Sequence, residues 1–189
     1  MKEGLVKDAY ELIIKEIQTL LTILYLLMIG IGMLFNYKMY TKFGINIFEY
    51  ADAVDFLIAP FQDIRIIIVS VVSIIVPMGI LWMDRWIQKR FPKTYSKMNM
   101  GMNNKSWYKK FRLLSFGLLL LYFVLEASNG YAQFIHKNIQ KQDSVSVKFM
   151  DNEQISGKMI GKTKEVIFLL TDQKVKVIPI TALVKEIEL

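Results

Sequence analysis

An α-helical membrane protein with three transmembrane helices, a short interfacial helix and a small all-β C-terminal domain is the architecture this sequence predicts. Three observations lead there. The chain is 53% hydrophobic over 189 residues, with a mean hydropathy of +0.33, too apolar for a soluble domain of that length. The apolar residues gather into three long stretches separated by charged connections. From Ser144 onward the hydrophobic period changes from that of a helix to that of a strand. The predicted division is a transmembrane domain over 1–135, a linker over 136–143 and a β-domain over 144–189.

The first span is expected over 17–35, "IQTLLTILYLLMIGIGMLF", near the ~20 residues needed to cross the hydrocarbon. Before it, "MKEGLVKDAYELIIKEIQT" is mixed in charge and amphipathic, and no small-residue cleavage site follows the apolar run, so the sequence predicts no secretory signal. Lys7, Glu11 and Lys15 alternate in sign, as on a solvated helical face. Gly30 and Gly32 are either close-approach positions or ordinary glycines of a membrane helix.

The second span is expected over 64–83, "IRIIIVSVVSIIVPMGILWM". Pro77 removes one backbone donor, and Ser73 or a neighbouring helix is expected to satisfy the freed carbonyl. Trp82 and Trp86 mark the exit into the interface. The third span is expected over 111–135. Its strictly apolar part, 113–125, is too short to cross alone, so the helix must continue through "EASNGYAQFI".

The connections set the expected orientation. Residues 84–112 carry nine Lys or Arg against one Asp, whereas 36–63 carry two Lys against Glu49, Asp52, Asp55 and Asp63. Short basic loops stay in the cytoplasm. The N-terminus and the 84–112 loop of a multi-pass membrane protein are therefore assigned to the cytoplasm, with the C-terminal domain outside. In the basic loop Arg85, Lys89, Arg90, Lys109, Lys110 and Arg112 are expected to face anionic lipid. "SWYKKFR" (106–112) reads as an aromatic and cationic interfacial anchor. The net charge of +7 is concentrated in this loop, which argues against a nucleic-acid partner.

Between the first two spans, "FEYADAVDFLIAP" predicts a short interfacial helix over 47–59, ending before Pro60. Ile47, Ala51, Val54, Ile58 and Phe61 would form its apolar stripe. Glu49, Asp52 and Asp55 would lie opposite. These three carboxylates are a hydrated connector, an acidic ring at a pore mouth, or a metal cluster. No histidine or fixed ligand spacing supports the last.

Ser115, Tyr122, Glu126, Asn129, Gly130 and Gln133 fall on one face of the third helix. Within hydrocarbon such a row needs cover from protein or water, and an ionisable residue at that depth is a functional candidate. If the bilayer ends near Leu125, Glu126 lies at the surface instead. In the first case the row is a pore lining or subunit interface, and self-association provides the cover.

In the β-domain, "SVSVKFM", "QISGKMIGKT", "EVIFLLT", "KVKVIP" and "LVKEIEL" read as five strands of a small antiparallel barrel. With little core of its own, it is expected to pack against other copies or the membrane portion.

The stretch "VKFMDNEQISGKMIG" resembles the first segment of Sm proteins, and "KVIPITALVKEIEL" resembles the strand–turn–strand ending of Sm-like and SH3-like barrels. The resemblance covers about a quarter of the chain and implies that fold. The RNA-contacting Asn and Arg-Gly positions of Sm proteins have no match here, so no RNA binding is implied. "TDQKVKVIP" resembles the β-domain of small-conductance mechanosensitive channels, which have three helices per subunit and an oligomeric pore. This chain departs from them in lacking the Gly/Ala periodicity of their third helix and in its predicted orientation. "FGINIFEYADAVDFLIAPFQD" followed by the "VIP" barrel is similar to small bacterial inner-membrane proteins, a likeness that implies architecture and no activity.

No cysteine is present, which excludes disulfides and thiolate metal sites. His136 is the single histidine and is expected in the linker. Met98, Met100 and Met102 read as a flexible loop. No nucleophile–base pair, phosphate loop or metal-ligand set is present, so no enzyme, cofactor or metal is expected. Two functions remain. One is a homo-oligomeric channel, sensor or membrane-perturbing effector with the third helix near its axis. The other is a non-conducting membrane-anchored adaptor whose β-domain or basic loop recruits a protein partner.

Overall fold

The computed structural model describes residues 2–150, 153–172, 174–180 and 184–188. Among the described residues, five α-helices precede five strands. The helices are α1 (Lys2–Thr41), α2 (Ala53–Gln62), α3 (Ile64–Arg90), α4 (Pro92–Met98) and α5 (Tyr108–Lys141). The strands are β1 (Val145–Phe149), β2 (Gln154–Lys162), β3 (Val166–Thr171), β4 (Lys174–Pro179) and β5 (Val184–Glu188). Three helical segments are long and apolar enough to cross a membrane: Ile14–Thr41, Ile64–Arg90 and Tyr108–Lys141. The chain is an α-helical membrane protein with a small all-β C-terminal domain, the class its sequence predicts.

The second span, expected over 64–83, continues as α3 to Arg90, and the first and third outrun their apolar segments for a physical reason. The first was expected over 17–35, but α1 continues to Thr41 because Phe35, Met39 and Tyr40 form a face buried by protein. The third was expected to stop at 135, with a linker over 136–143. Instead α5 runs through Lys141, because Ile135 and Ile139 continue the buried face begun by Tyr131 and Ala132. His136 therefore lies on a helix, its ring 4.8 Å from that of Phe43. In α3, Pro77 lies on the buried face with Ser70 and Ser73. The carbonyl Pro77 leaves free is that of Ser73 itself. Contrary to expectation, the Ser73 hydroxyl donates to the Ser70 carbonyl, 2.7 Å away.

The segment expected as one helix over 47–59 is divided. A 3-10 turn covers Ile47–Glu49, and α2 begins anew after Asp52. Asp52 accepts from the backbone N–H groups of Val54 and Asp55 at 2.8 and 2.9 Å, and Asp55 accepts from that of Asp52 at 3.1 Å. This reciprocal capping fixes the start of α2. Pro60 lies inside the helix, not beyond it. Val54, Ile58 and Phe61 are exposed, whereas Ile47 and Phe56 are buried, so the five apolar residues do not form one stripe. The Phe56 carbonyl, which Pro60 cannot satisfy, lies against Gly32 of α1. A Cβ at Gly32 would stand 1.9 Å from that oxygen. Gly32 is thus a close-approach position, whereas Gly30 has open space around it.

The sheet is antiparallel, in the order β4-β3-β2-β1-β5. Only a few residues join the outer strands β4 and β5, so covalent reach makes the sheet curl towards a barrel. A register shift between Met159 and Gly161 helps bend it. One small core, of Val147, Ile167, Leu169 and Ile178, belongs to the sheet alone. A larger core unites Phe35, Tyr40, Tyr131 and Ile135 of the helices with Ile160 and Phe168 of the strands. Phe168 is fully buried, 5.1 Å from the Tyr40 ring and 5.4 Å from that of Tyr50. The β-domain is therefore fused to the membrane portion, the second of the two packings expected for it.

Candidate functional site

Two polar levels frame the helix bundle. At the β-domain end, Asp63 caps α3 by accepting from the Arg65 backbone N–H at 3.0 Å and pairs with Arg65 Nε at 2.7 Å. It also accepts from the Tyr131 hydroxyl of α5 at 2.9 Å. Burial disfavours the Asp63 carboxylate, but the hydrogen bonds from Arg65 and Tyr131 prevail and hold it below the usual carboxylate range. At the opposite end, Asp84 of α3 lies 3.5 Å from Arg112 of α5 and accepts from the Tyr95 hydroxyl at 3.0 Å. Arg112 also donates to Gln88. Tyr95 and Tyr108 oxygens lie 2.9 Å apart, and Tyr108 donates to Asn99 at 3.0 Å. From Arg65 to Asp84 the helix rises about 28 Å at 1.5 Å per residue, close to the thickness of the hydrocarbon.

From Ser115 to Gly130 the polar row of α5 lies between these levels, and Gln133 lies about 3 Å beyond Tyr131 on the β-domain side. Glu126 is about 8 Å along the axis from Tyr131 and about 21 Å from Arg112. Ser115, Tyr122, Glu126, Gly130 and Gln133 are exposed and Asn129 is half-buried. The buried face of the same helix carries Ser128, Tyr131, Ala132, Ile135 and Ile139, on the other side of its axis. The row therefore points away from the chain's own core. Next to it, α3 and α5 enclose a groove of about 330 Å³, lined almost wholly by apolar atoms of residues that include Ile68, Val72, Val76, Phe123, Glu126 and Ala127.

The acidic segment lies at the β-domain end. Asp52 and Asp55 serve the α2 cap, and Asp55 also accepts from the Lys164 backbone N–H at 3.2 Å, joining α2 to the β2–β3 turn. Glu49 accepts from the Asn46 side chain at 2.8 Å. Among the described residues no three His, Asp or Glu side chains converge as metal ligands would. The six basic-loop residues flank the opposite end: Arg85, Lys89, Arg90, Lys109 and Lys110 are exposed, and Arg112 joins the Asp84 pair. Since α1 and α5 run parallel, with Phe35 against Tyr131 and Phe43 against His136, the N-terminal end of α1 shares the basic end.

The Asp63–Arg65–Tyr131 cluster has a signal in the sequence that went unused. An Asp directly before a long apolar run is a helix-start residue, and its pairing two residues on is local. Its link to Tyr131 depends on how α5 packs and has no sequence signature.

Protein-family models give no match to the chain, and neither do curated proteins. Among solved structures, the 1.55 Å crystal structure of the pleiotropic translational regulator Hfq aligns with 30% of this chain and 93% of its own, at 21% identity and a TM-score of 0.24.

Proposed function

We propose that this chain is a bacterial inner-membrane protein that assembles as a homo-oligomer around α5 and acts as a channel or sensor, or as an effector that perturbs the membrane. The observation that carries this reading is the outward polar row of α5, whose residues from Ser115 to Gly130 lie between the two polar levels. Unsatisfied polar groups there cost several kcal/mol, and an ionisable residue between the two polar levels marks a functional surface. Glu126 finds no cover within one copy. Neighbouring copies provide it, around a hydrated axis or a sealed hydrogen-bonded seam. The basic end is assigned to the cytoplasm by its charge, and the β-domain to the other side.

The test is ion flux through liposomes containing the full chain, with oligomer mass measured in detergent. Glu126→Ala should abolish flux while the mass stays that of the wild-type assembly. A wild-type monomer, or an assembly without conductance in any state, overturns the channel reading.

A second reading has its own support. The outer strand β4, with exposed Lys174 and Lys176, is an unpaired edge among the described ladders, and free edges accept strands from partners. A non-conducting adaptor would recruit a protein there or through the basic loop. Retention of a partner by the wild type, lost on Val177→Pro, together with absent flux, favours it.

A further inference from the structure

A polar pocket, an ion pair and an apolar groove follow one another along α3 and α5. Along α3, Arg65, Ile68, Val72 and Val76 follow one helical face. Along α5, Phe123, Ala127 and Phe134 do the same. The Arg65 guanidinium lies 5.6 Å over the centre of the Phe134 ring, and the groove of about 330 Å³ begins one turn further along α3, at Ile68. Above it, a second space of about 320 Å³ opens under the β-domain, with Asp63, Arg65, Tyr131, Asn138, Gln142 and Met159 among its walls.

Half of the Arg65 side chain is exposed. Its Nε serves Asp63, and no other described residue accepts from its terminal nitrogens. Asp63 receives three hydrogen bonds, from Arg65 twice and from Tyr131. A carboxylate has about four acceptor positions, so about one remains. The pair is close to neutral overall but presents a cation and an anion side by side at the bilayer surface.

We propose that this line binds one phospholipid with a zwitterionic ethanolamine headgroup: its phosphate on the Arg65 guanidinium, its ammonium on Asp63, and one acyl chain in the groove between α3 and α5. Charge complementarity selects that headgroup. An anionic phospholipid would satisfy Arg65 but leave Asp63 facing a second negative charge, without the ammonium that offsets it. The planar guanidinium, stacked on one face, keeps its outer edge for two phosphate oxygens. Glu126 lines the groove and belongs to the outward row, so it is the headgroup contacts at Arg65 and Asp63 that stand or fall apart from the channel reading.

The test is native mass spectrometry of the delipidated full chain in detergent, titrated with phosphatidylethanolamine and with phosphatidylglycerol of the same acyl chains. The expected result is saturable one-to-one retention of phosphatidylethanolamine over phosphatidylglycerol. Arg65→Gln should weaken it about tenfold, as loss of a charge-assisted contact does. Val72→Trp fills the groove from an exposed position without touching the ion pair, so it tests the acyl-chain site even if Arg65→Gln folds poorly, and it too should weaken retention. Equal retention of the two lipids overturns the headgroup assignment, and undiminished retention by Val72→Trp overturns the groove.

Discussion

The two ends of the membrane bundle are built differently. At the β-domain end, α1, α2, α5 and the sheet share one core, with Phe35, Phe168 and Ala132 fully buried. At the basic end, α3 and α5 are joined by a short polar network around Asp84, Arg112, Tyr95 and Tyr108, and residues 15–27 of α1 are exposed along every face. Apolar burial against protein thus holds one end, and hydrogen bonds with lipid contact hold the other. Tight packing suits the end that bears a folded domain. The other end, wrapped in lipid, leaves α1 free to meet another surface.

This contrast can be broken by substitution. The largest effect is expected from Phe168→Ala, which empties the joint between sheet and helices and should cost about 3–5 kcal/mol, read as a lowered unfolding temperature in detergent. Gly32→Ala should cost about 1–3 kcal/mol through overpacking against the Phe56 carbonyl, whereas Gly30→Ala should leave that temperature unchanged. At the basic end, Tyr95→Phe removes the hydroxyl that bonds both the Asp84 carboxylate and Tyr108 and should cost about 2 kcal/mol. Leu24→Ala, in the exposed half of α1, should change a single copy's stability by less than about 0.5 kcal/mol. A larger loss would show that this half is covered in the assembly.

A pH series sharpens the comparison further. The folded pKa of Asp63 lies below its unfolded value, so its contribution to stability is present above about pH 4 and is lost as pH falls through the folded pKa. Unfolding temperatures followed from pH 6 to pH 3 should fall at the acid end, and Asp63→Asn should flatten that fall. An unchanged acid limb in the variant would assign it to other carboxylates.

The helices and strands were legible because their signals are local. Runs of apolar residues, the period-two pattern after Ser144, and the charge difference between the two connections all lie within short stretches. The joints were not legible. Nothing near Tyr40 or Ile139 says that a strand will cover them, so the third helix was expected to end at 135, where it is long enough to cross. Pro60 was read as a stop because proline restricts the residue before it; α2 carries it inside the helix, with the freed Phe56 carbonyl lying against Gly32. In the candidate site, the periodicity of Glu126, Asn129 and Gln133 could be read from spacing alone. The side of α5 they face, and the pairing of Asp63 with Tyr131, required the packed helices.

The aromatic joint at Phe168 also dictates an order of events during synthesis. Tyr40 leaves the ribosome early, and the ring that buries it arrives only with β3, after both other membrane helices. Until then the end of α1 that meets the sheet, though already threaded through the bilayer, stays unfinished and open to chaperones, proteases and sister chains.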